Sequence, residues 1–269
     1  MAGTNKNLGV PPETLPVAPA IILVNPQLGE NIGMVSRAML NCGMTDLRLV
    51  APRDGWPNDQ AIAASAGARL VIENAKLFET TADAIADLTF VLATTARNRD
   101  MISTIYNPDS AGAEIINRNA NLNKGDATKC GIMFGPERAG LVNEDIALAN
   151  GILNVPLNPG FSSLNLAQAV LLMSYSWYSK AIATSNDTDT IIRTGDTDFA
   201  TRAEINHMLK RLENALDDVN FFASPDIRPN TVRNITNMFS RPDITTQEIQ
   251  TLQGIISAFQ GKKLSKTVG

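Results

Sequence analysis

A chain of 269 residues, 44% of them apolar, can bury a sizeable core and has room for one large domain and a smaller one. Its formal charge of −4 and pI near 5.1 withhold the global basic footprint of a nucleic-acid binder, whose affinity rests largely on phosphate neutralisation. No apolar run approaches the roughly 18 to 20 residues of a membrane span, Met1 to Ala20 lacks a signal-peptide core, and Cys42, Cys130 and one histidine make no zinc set, so a cytoplasmic protein with buried free thiols is expected.

Residues 1–19, with Pro11, Pro12, Pro16 and Pro19, read as a mobile tail. Ala20 to Val24 is a short apolar strand, Asn25 to Asn31 a polar turn, and Ile32 to Leu40 a helix that Gly43 ends. Arg37 sits on that helix among Val35, Ala38, Met39 and Leu40, either solvated or aimed into a cleft. Further strands are predicted near 47–50, 89–94, 130–134 and 152–155, with a shorter one near 70–72. Helical segments between most of them give an α/β chain with a mostly parallel sheet.

Three polar loops interrupt this alternation. The strand near 89–94 ends in Thr94 and Thr95 and runs on through Ala96 to Arg97 and Arg99. Cys130 to Phe134 runs into Gly135-Pro136-Glu137-Arg138-Ala139-Gly140-Leu141, a tight turn with one acid and one base. Ligands of open α/β sheets bind beyond the carboxyl ends of the strands, and a glycine there lets backbone approach them closely. In Asn158-Pro159-Gly160-Phe161-Ser162-Ser163-Leu164-Asn165, Asn-Pro and Pro-Gly force a turn. Ser162 or Ser163 is a natural N-cap for a helix continued by Leu164, Ala167, Val170 and Leu171. Such a helix start suits an anionic or carboxylate-bearing ligand, though an ordinary capped core helix reads the same way. Neither a P-loop nor a Gly-x-Gly-x-x-Gly follows a strand, which disfavours an ATP or dinucleotide enzyme.

Thr184 to Thr197, rich in Asp, Thr and Ser, reads as a linker, and helical spacing recurs over Glu204 to Val219, Thr231 to Phe239 and Thr246 to Phe259. Residues 201–269 hold nine Lys and Arg against seven Asp and Glu, whereas residues 1–200 hold fourteen against twenty. Arg37, Arg97, Arg99 and Arg138 fall at or beside the candidate loops, so a local basic patch can coexist with an acidic whole.

Asn31-Ile-Gly33-Met-Val-Ser-Arg37, Phe134-Gly-Pro-Glu-Arg-Ala-Gly-Leu141 and Asn158-Pro-Gly-Phe-Ser-Ser-Leu-Asn-Leu-Ala167 resemble, in order and spacing, the three motifs of the SPOUT RNA 2′-O-ribose methyltransferases. The likeness is strongest to the branch that methylates the first nucleotide of the tRNA anticodon loop, a cytidine or uridine. It covers roughly residues 20–178 and parts of the C-terminal region, with Pro136 departing from the basic residue expected there. The resemblance implies a methyltransferase domain over 20–183 closed by a C-terminal trefoil knot between about Phe134 and Tyr178, a linker over 184–199 and a helical region over 200–269. General topology rules would not predict a knot.

It further implies S-adenosyl-L-methionine cradled by Thr94, Thr95, Ala96, Gly135, Val155, Ser162, Ser163 and Leu164. Arg37 and Ser163 would flank the reacting hydroxyl, and Asn31, Arg37, Arg97, Glu137, Arg138 and Asn165 would serve the RNA side. No metal is implied. Glu137 and Asn165 read equally as loop-shaping hydrogen-bond partners. The implied partners are tRNA and a second copy of the chain, with Arg37 donated across the homodimer, and neither DNA nor a membrane. The C-terminal helices, with Lys210, Arg211, Arg228, Arg233 and Arg241, would either extend the RNA surface or only support the dimer. An rRNA 2′-O-methyltransferase of the same superfamily and a catalytically inactive RNA-binding module are the rival readings.

Overall fold

The computed structural model describes residues 15–95, 103–123, 126–184, 197–222 and 224–261. Residues 1–14 of the expected tail lie outside the described residues, as do Ala96, Arg97, Arg99 and most of the expected linker, whereas residues 15–19 are no mobile tail: Leu15 and Ala18 pack on the core and Val17 O accepts from Asn119 Nδ2. In chain order the elements are β1 (Ala20–Val24), α1 (Gly29–Asn41), β2 (Leu47–Val50), α2 (Asp59–Ala64), α3 (Arg69–Glu73), β3 (Lys76–Phe78), α4 (Thr81–Ala84), β4 (Phe90–Thr94), β5 (Thr104–Tyr106), α5 (Pro108–Asn119), β6 (Cys130–Phe134), α6 (Asn143–Ala147), β7 (Gly151–Leu153), α7 (Leu166–Thr184), α8 (Arg202–Asp218), α9 (Arg228–Ser240) and α10 (Thr246–Phe259). The strands form one 7-stranded parallel sheet in the order β3-β2-β1-β6-β4-β7-β5. The fold is thus the expected α/β class with a parallel sheet and a C-terminal helical extension.

Both faces of the sheet are covered, which is why β1 and β6 are apolar throughout instead of alternating. Successive β1 side chains still point to opposite sides: Ile21 and Leu23 enter the core beneath α1, α5 and α7, while Ile22 and Val24 join Ile85, Leu88 and Ile146 on the other face. From β6 the chain passes over β4 to β7 and then returns as α7, which packs on α1 and α5 with Trp177 fully buried. Because every strand is parallel, the segments leaving Val24, Thr94, Phe134 and Leu153 all emerge at one edge. The three motif loops and the β4 exit meet there.

Three expectations need correction. Residues 70–72 lie in α3, and the neighbouring edge strand is Lys76–Phe78. A short apolar run does not distinguish strand from helix, and here Val71 and Ile72 turn inward from a helix while Leu77 stays exposed. The cap of α7 is Asn165, not Ser162 or Ser163: its Oδ1 accepts from the Ala167 amide at 2.9 Å, and its own amide donates to Gln168 Oε1 at 3.2 Å. Both serines are therefore left on the loop. The predicted strand near 152–155 is shifted to Gly151–Leu153, and β5 was not expected at all. Thr104 and Ile105 are exposed on that outer strand, so it carries no burial pattern.

The C-terminal helices form their own apolar cluster around Ile205, Met208, Ile249 and Ile256 and dock on the amino-terminal edge of β4. The Arg202 and Ala203 amides donate to Leu88 O at 2.7 Å and Ala86 O at 2.8 Å. The Arg202 guanidinium, 2% exposed, donates to Thr89 O and Ser240 O, and burial pulls its pKa down to about 10 against the opposing pull of the Asp243 charge. Arg118, stacked 3.9 Å over the Phe90 ring, grips Asp243 and Glu114. Burial pushes the Cys42 thiol up to about 11 and Cys130 to about 12. Among the described residues no helix is long and apolar enough to cross a membrane.

Candidate functional site

The carboxyl edge of the sheet holds a hollow of about 400 Å³. Its walls include Thr94 and Thr95 after β4, Phe134 and Gly135 through Gly140 after β6, Leu153, Val155 and Leu157 after β7, and Ser162, Ser163, Leu164, Leu166 and Ala169 at the start of α7. Apart from Ala96, every residue expected around the methyl donor lies on this one surface. The apolar part comes from Leu153, Val155, Leu164, Leu166 and Ala169, and the polar part from hydroxyls and loop backbone.

Local sequence explains the shape. Thr94 turns its hydroxyl onto Met133 O at 2.9 Å, and the Thr95 amide donates to Leu153 O at 3.2 Å, so the β4 exit is tied to β6 and β7. The loop after β6 folds back on itself: the Gly140 amide donates to Pro136 O at 2.8 Å, with Gly140 at φ +69°, where a side chain would be strained. Gly135 is a matter of space, since a Cβ there would sit 2.2 Å from Leu141 N and 2.4 Å from Gly140 C. Leu141, 2% exposed, anchors the returning end in the core.

Asn31, Glu137 and Asn165 knit the motifs together. Asn31 Nδ2 donates to Glu137 Oε1 at 2.6 Å, Asn165 Nδ2 donates to Asn31 Oδ1 at 3.1 Å, and the Gln27 amide donates to Glu137 Oε2 at 3.1 Å. Asn31 is 5% exposed, so its amide is held with both donor and acceptor ends satisfied, an arrangement that fixes the three segments relative to one another. Side-chain chemistry in the sequence marked all three residues but not their pairing. The contribution of Gln27 is a backbone amide, which leaves no side-chain signal.

Arg37 stands apart. Six residues beyond Asn31 on α1, it falls on another face, in an exposed stripe with Glu30, Met34 and Asn41, and is not among the residues lining the hollow. Arg138 is exposed at the rim. The packed pair α1 and α7 also carries exposed apolar side chains: Met34 on α1, and Leu171, Leu172, Tyr175 and Ile182 on α7. A single chain thus places Ser163 at the hollow and Arg37 outside it.

The C-terminal cations expected to face RNA are largely engaged within the chain. Arg228 pairs with Asp217 and Glu213, Lys210 with Glu213, and Arg233 with Glu144 of α6, while Arg211 donates to Gln253 and Ser257. A second, smaller hollow of about 150 Å³ between α8 and α9, bordered by Leu148, Leu209, Phe222 and Ile235, holds no motif residue.

The profile of the SpoU rRNA Methylase family matches residues 18–175. A tRNA (cytidine/uridine-2′-O-)-methyltransferase TrmJ from Photorhabdus laumondii is 32% identical over 89% of this chain and 95% of its own length. The protein of that name from Citrobacter koseri is 31% identical over 91% and 98%. Among solved structures, TrmJ from Z. mobilis ZM4 superposes with a TM-score of 0.78 at 44% identity, covering 90% of this chain and 99% of that one.

Proposed function

The chain belongs to the SpoU rRNA Methylase family, and on that premise we propose that it transfers a methyl group from S-adenosyl-L-methionine to the ribose 2′-hydroxyl of a cytidine or uridine in tRNA, at the start of the anticodon loop. The observation that carries this reading is the convergence of the β4 exit and two of the motif loops on one hollow, with Asn31 of the first motif tied beside it through Glu137 and Asn165. The residues fit the methyl donor. The hollow lies within the range of about 300 to 1,000 Å³ typical of small-molecule sites, its apolar wall suits an adenine, and its hydroxyls and loop amides suit the polar remainder. When bound, a sulfonium supplies an activated methyl group. The reading also includes the division into a methyltransferase domain over 20–183 and helices over 200–269, and a cytoplasmic location.

The protein's task is then to align the 2′-oxygen and ease the loss of its proton. Ser163, exposed at the hollow, stands where it can position the hydroxyl directly or through water. Arg37 is a poor proton acceptor, because a guanidinium carries hydrogen-bond donors and no acceptor. It acts instead as a bidentate clamp on the adjacent phosphate, leaving that phosphate or a serine-linked water to take the proton. Its place outside the hollow supports a homodimer in which the exposed apolar face of α1 and α7 is covered by a second copy, which brings its Arg37 to the site. The pairing of the C-terminal cations with carboxylates favours a supporting role for α8 to α10 over an open basic surface.

Single-turnover methyl transfer with labelled donor and separated tRNA and rRNA tests the reading. Wild-type protein labels tRNA, and Arg37→Lys, which keeps charge but loses the fork, slows the transfer about ten- to a hundred-fold, the scale of a lost charge-assisted hydrogen bond. A near-wild-type rate for the variant contradicts the clamp, and label found only in rRNA overturns the tRNA substrate.

A further inference from the structure

Phe161 has no part in the chemistry described so far. It is 77% exposed, yet it sits directly before Ser162 and Ser163, which line the hollow. Exposure of a large aromatic is costly in wetted apolar surface, and here the chain holds it in place: the Phe161 amide donates to Asn158 O at 2.8 Å, and the Gly160 amide to Asn158 Oδ1 at 3.1 Å. Tyr175, Phe221 and Phe259 are also exposed, but they lie on α7, in the segment after α8 and on α10, and do not border the hollow.

We infer that Phe161 is a stacking platform for the base of the nucleotide being methylated. The inference rests on the function proposed above and adds to it how the target base is held. A ribose positioned at Ser163 carries its base within about one nucleotide's reach of the preceding side chains, and single-stranded RNA is commonly bound by stacking unpaired bases on aromatic rings. A turn whose backbone is already fixed by two hydrogen bonds lowers the ordering cost of presenting the ring. Stacking is also indifferent to the hydrogen-bonding edge, because every base has a π-face. A site that holds its base this way accepts cytidine and uridine alike, and it requires a base free to leave its neighbours.

Steady-state methylation by the full chain, with tRNA carrying either the normal base or an abasic ribose at the nucleotide that wild-type protein methylates, tests the stacking role. On normal RNA, Phe161→Ala lowers kcat/KM about ten-fold or more, within the range of a lost base–aromatic stack, and Phe161→Leu does nearly as badly, whereas Phe161→Trp retains activity. Calorimetry shows unchanged affinity for S-adenosyl-L-methionine in all variants. On abasic RNA the wild-type protein falls by a comparable factor, and Phe161→Ala lowers it no further, since the interaction is already gone. Losses that add in full on the abasic RNA, a fully active Phe161→Leu, or a weakened dimer in sedimentation with Phe161→Ala would each overturn the platform while leaving the methyltransferase reading intact. A wild-type protein that methylates no ribose overturns both.

Discussion

Gly135→Ala is expected to abolish measurable binding of S-adenosyl-L-methionine while leaving most of the helical content in place. The added Cβ would lie 2.2 Å from Leu141 N and 2.4 Å from Gly140 C, and both contacts are backbone atoms that cannot swing aside as a side-chain tip can. Relief requires the loop from Gly135 to Leu141 to open. Leu141 resists at one end because it is buried in the core, and the Gly140 to Pro136 hydrogen bond resists in the middle. Overpacking of this kind costs about 1 to 3 kcal/mol, which for a chain of this size lowers Tm by only several degrees. Binding suffers far more, because the displaced backbone is itself a wall of the hollow. Calorimetry should show at least a hundred-fold loss of affinity, with circular dichroism little changed. Affinity within a few-fold of wild type would mean that the loop yields without consequence and that Gly135 does not shape the site.

Glu137→Ala should produce the second large effect, through a different route. The carboxylate accepts from Asn31 Nδ2 and from the Gln27 amide, so its removal leaves two donors without that acceptor. A buried group deprived of its partner costs about 1 to 3 kcal/mol, and Asn31 is almost completely enclosed. Asn31 would then turn to find another acceptor and release Asn165, loosening the start of α7 beside Ser163. The expected result is a fall in single-turnover rate of about a hundred-fold, on the scale of a misplaced reacting group. Glu137→Gln should lie between, since one of its two terminal atoms becomes a donor facing a donor. If Glu137→Ala turned over at the wild-type rate, the hydrogen-bonded knit would be incidental to catalysis.

How far the sequence disclosed this arrangement differs from residue to residue. β1 and β6 were readable because strands buried on both faces are written as unbroken apolar runs, and a parallel sheet then places their exits on one edge. The polar loops after them followed from glycine, proline and charge at those exits. Edge strands were the weak point: Thr104 to Tyr106 and Lys76 to Phe78 are short and half solvated, so neither has a pattern for periodicity to detect. The α7 cap was misplaced by three residues or fewer because Ser162, Ser163 and Asn165 are all good caps, and what favours Asn165 is the local bonding with Ala167 and Gln168 together with the tertiary bond to Asn31. Arg37 was visible as an unusual charge among small and apolar neighbours. Its distance from the hollow was not, because the face of α1 on which it falls depends on how that helix packs against α2 and α7.

Hydrogen–deuterium exchange with and without S-adenosyl-L-methionine most directly tests whether these separated loops hold the methyl donor together. Amides at the end of β4, across Gly135 to Leu141 and from Val155 to Leu164 should slow in concert, and the Gln27 amide should slow with them through its bond to Glu137. Protection centred instead on the smaller hollow around Leu148, Leu209 and Phe222, with the three loops unchanged, would contradict the account.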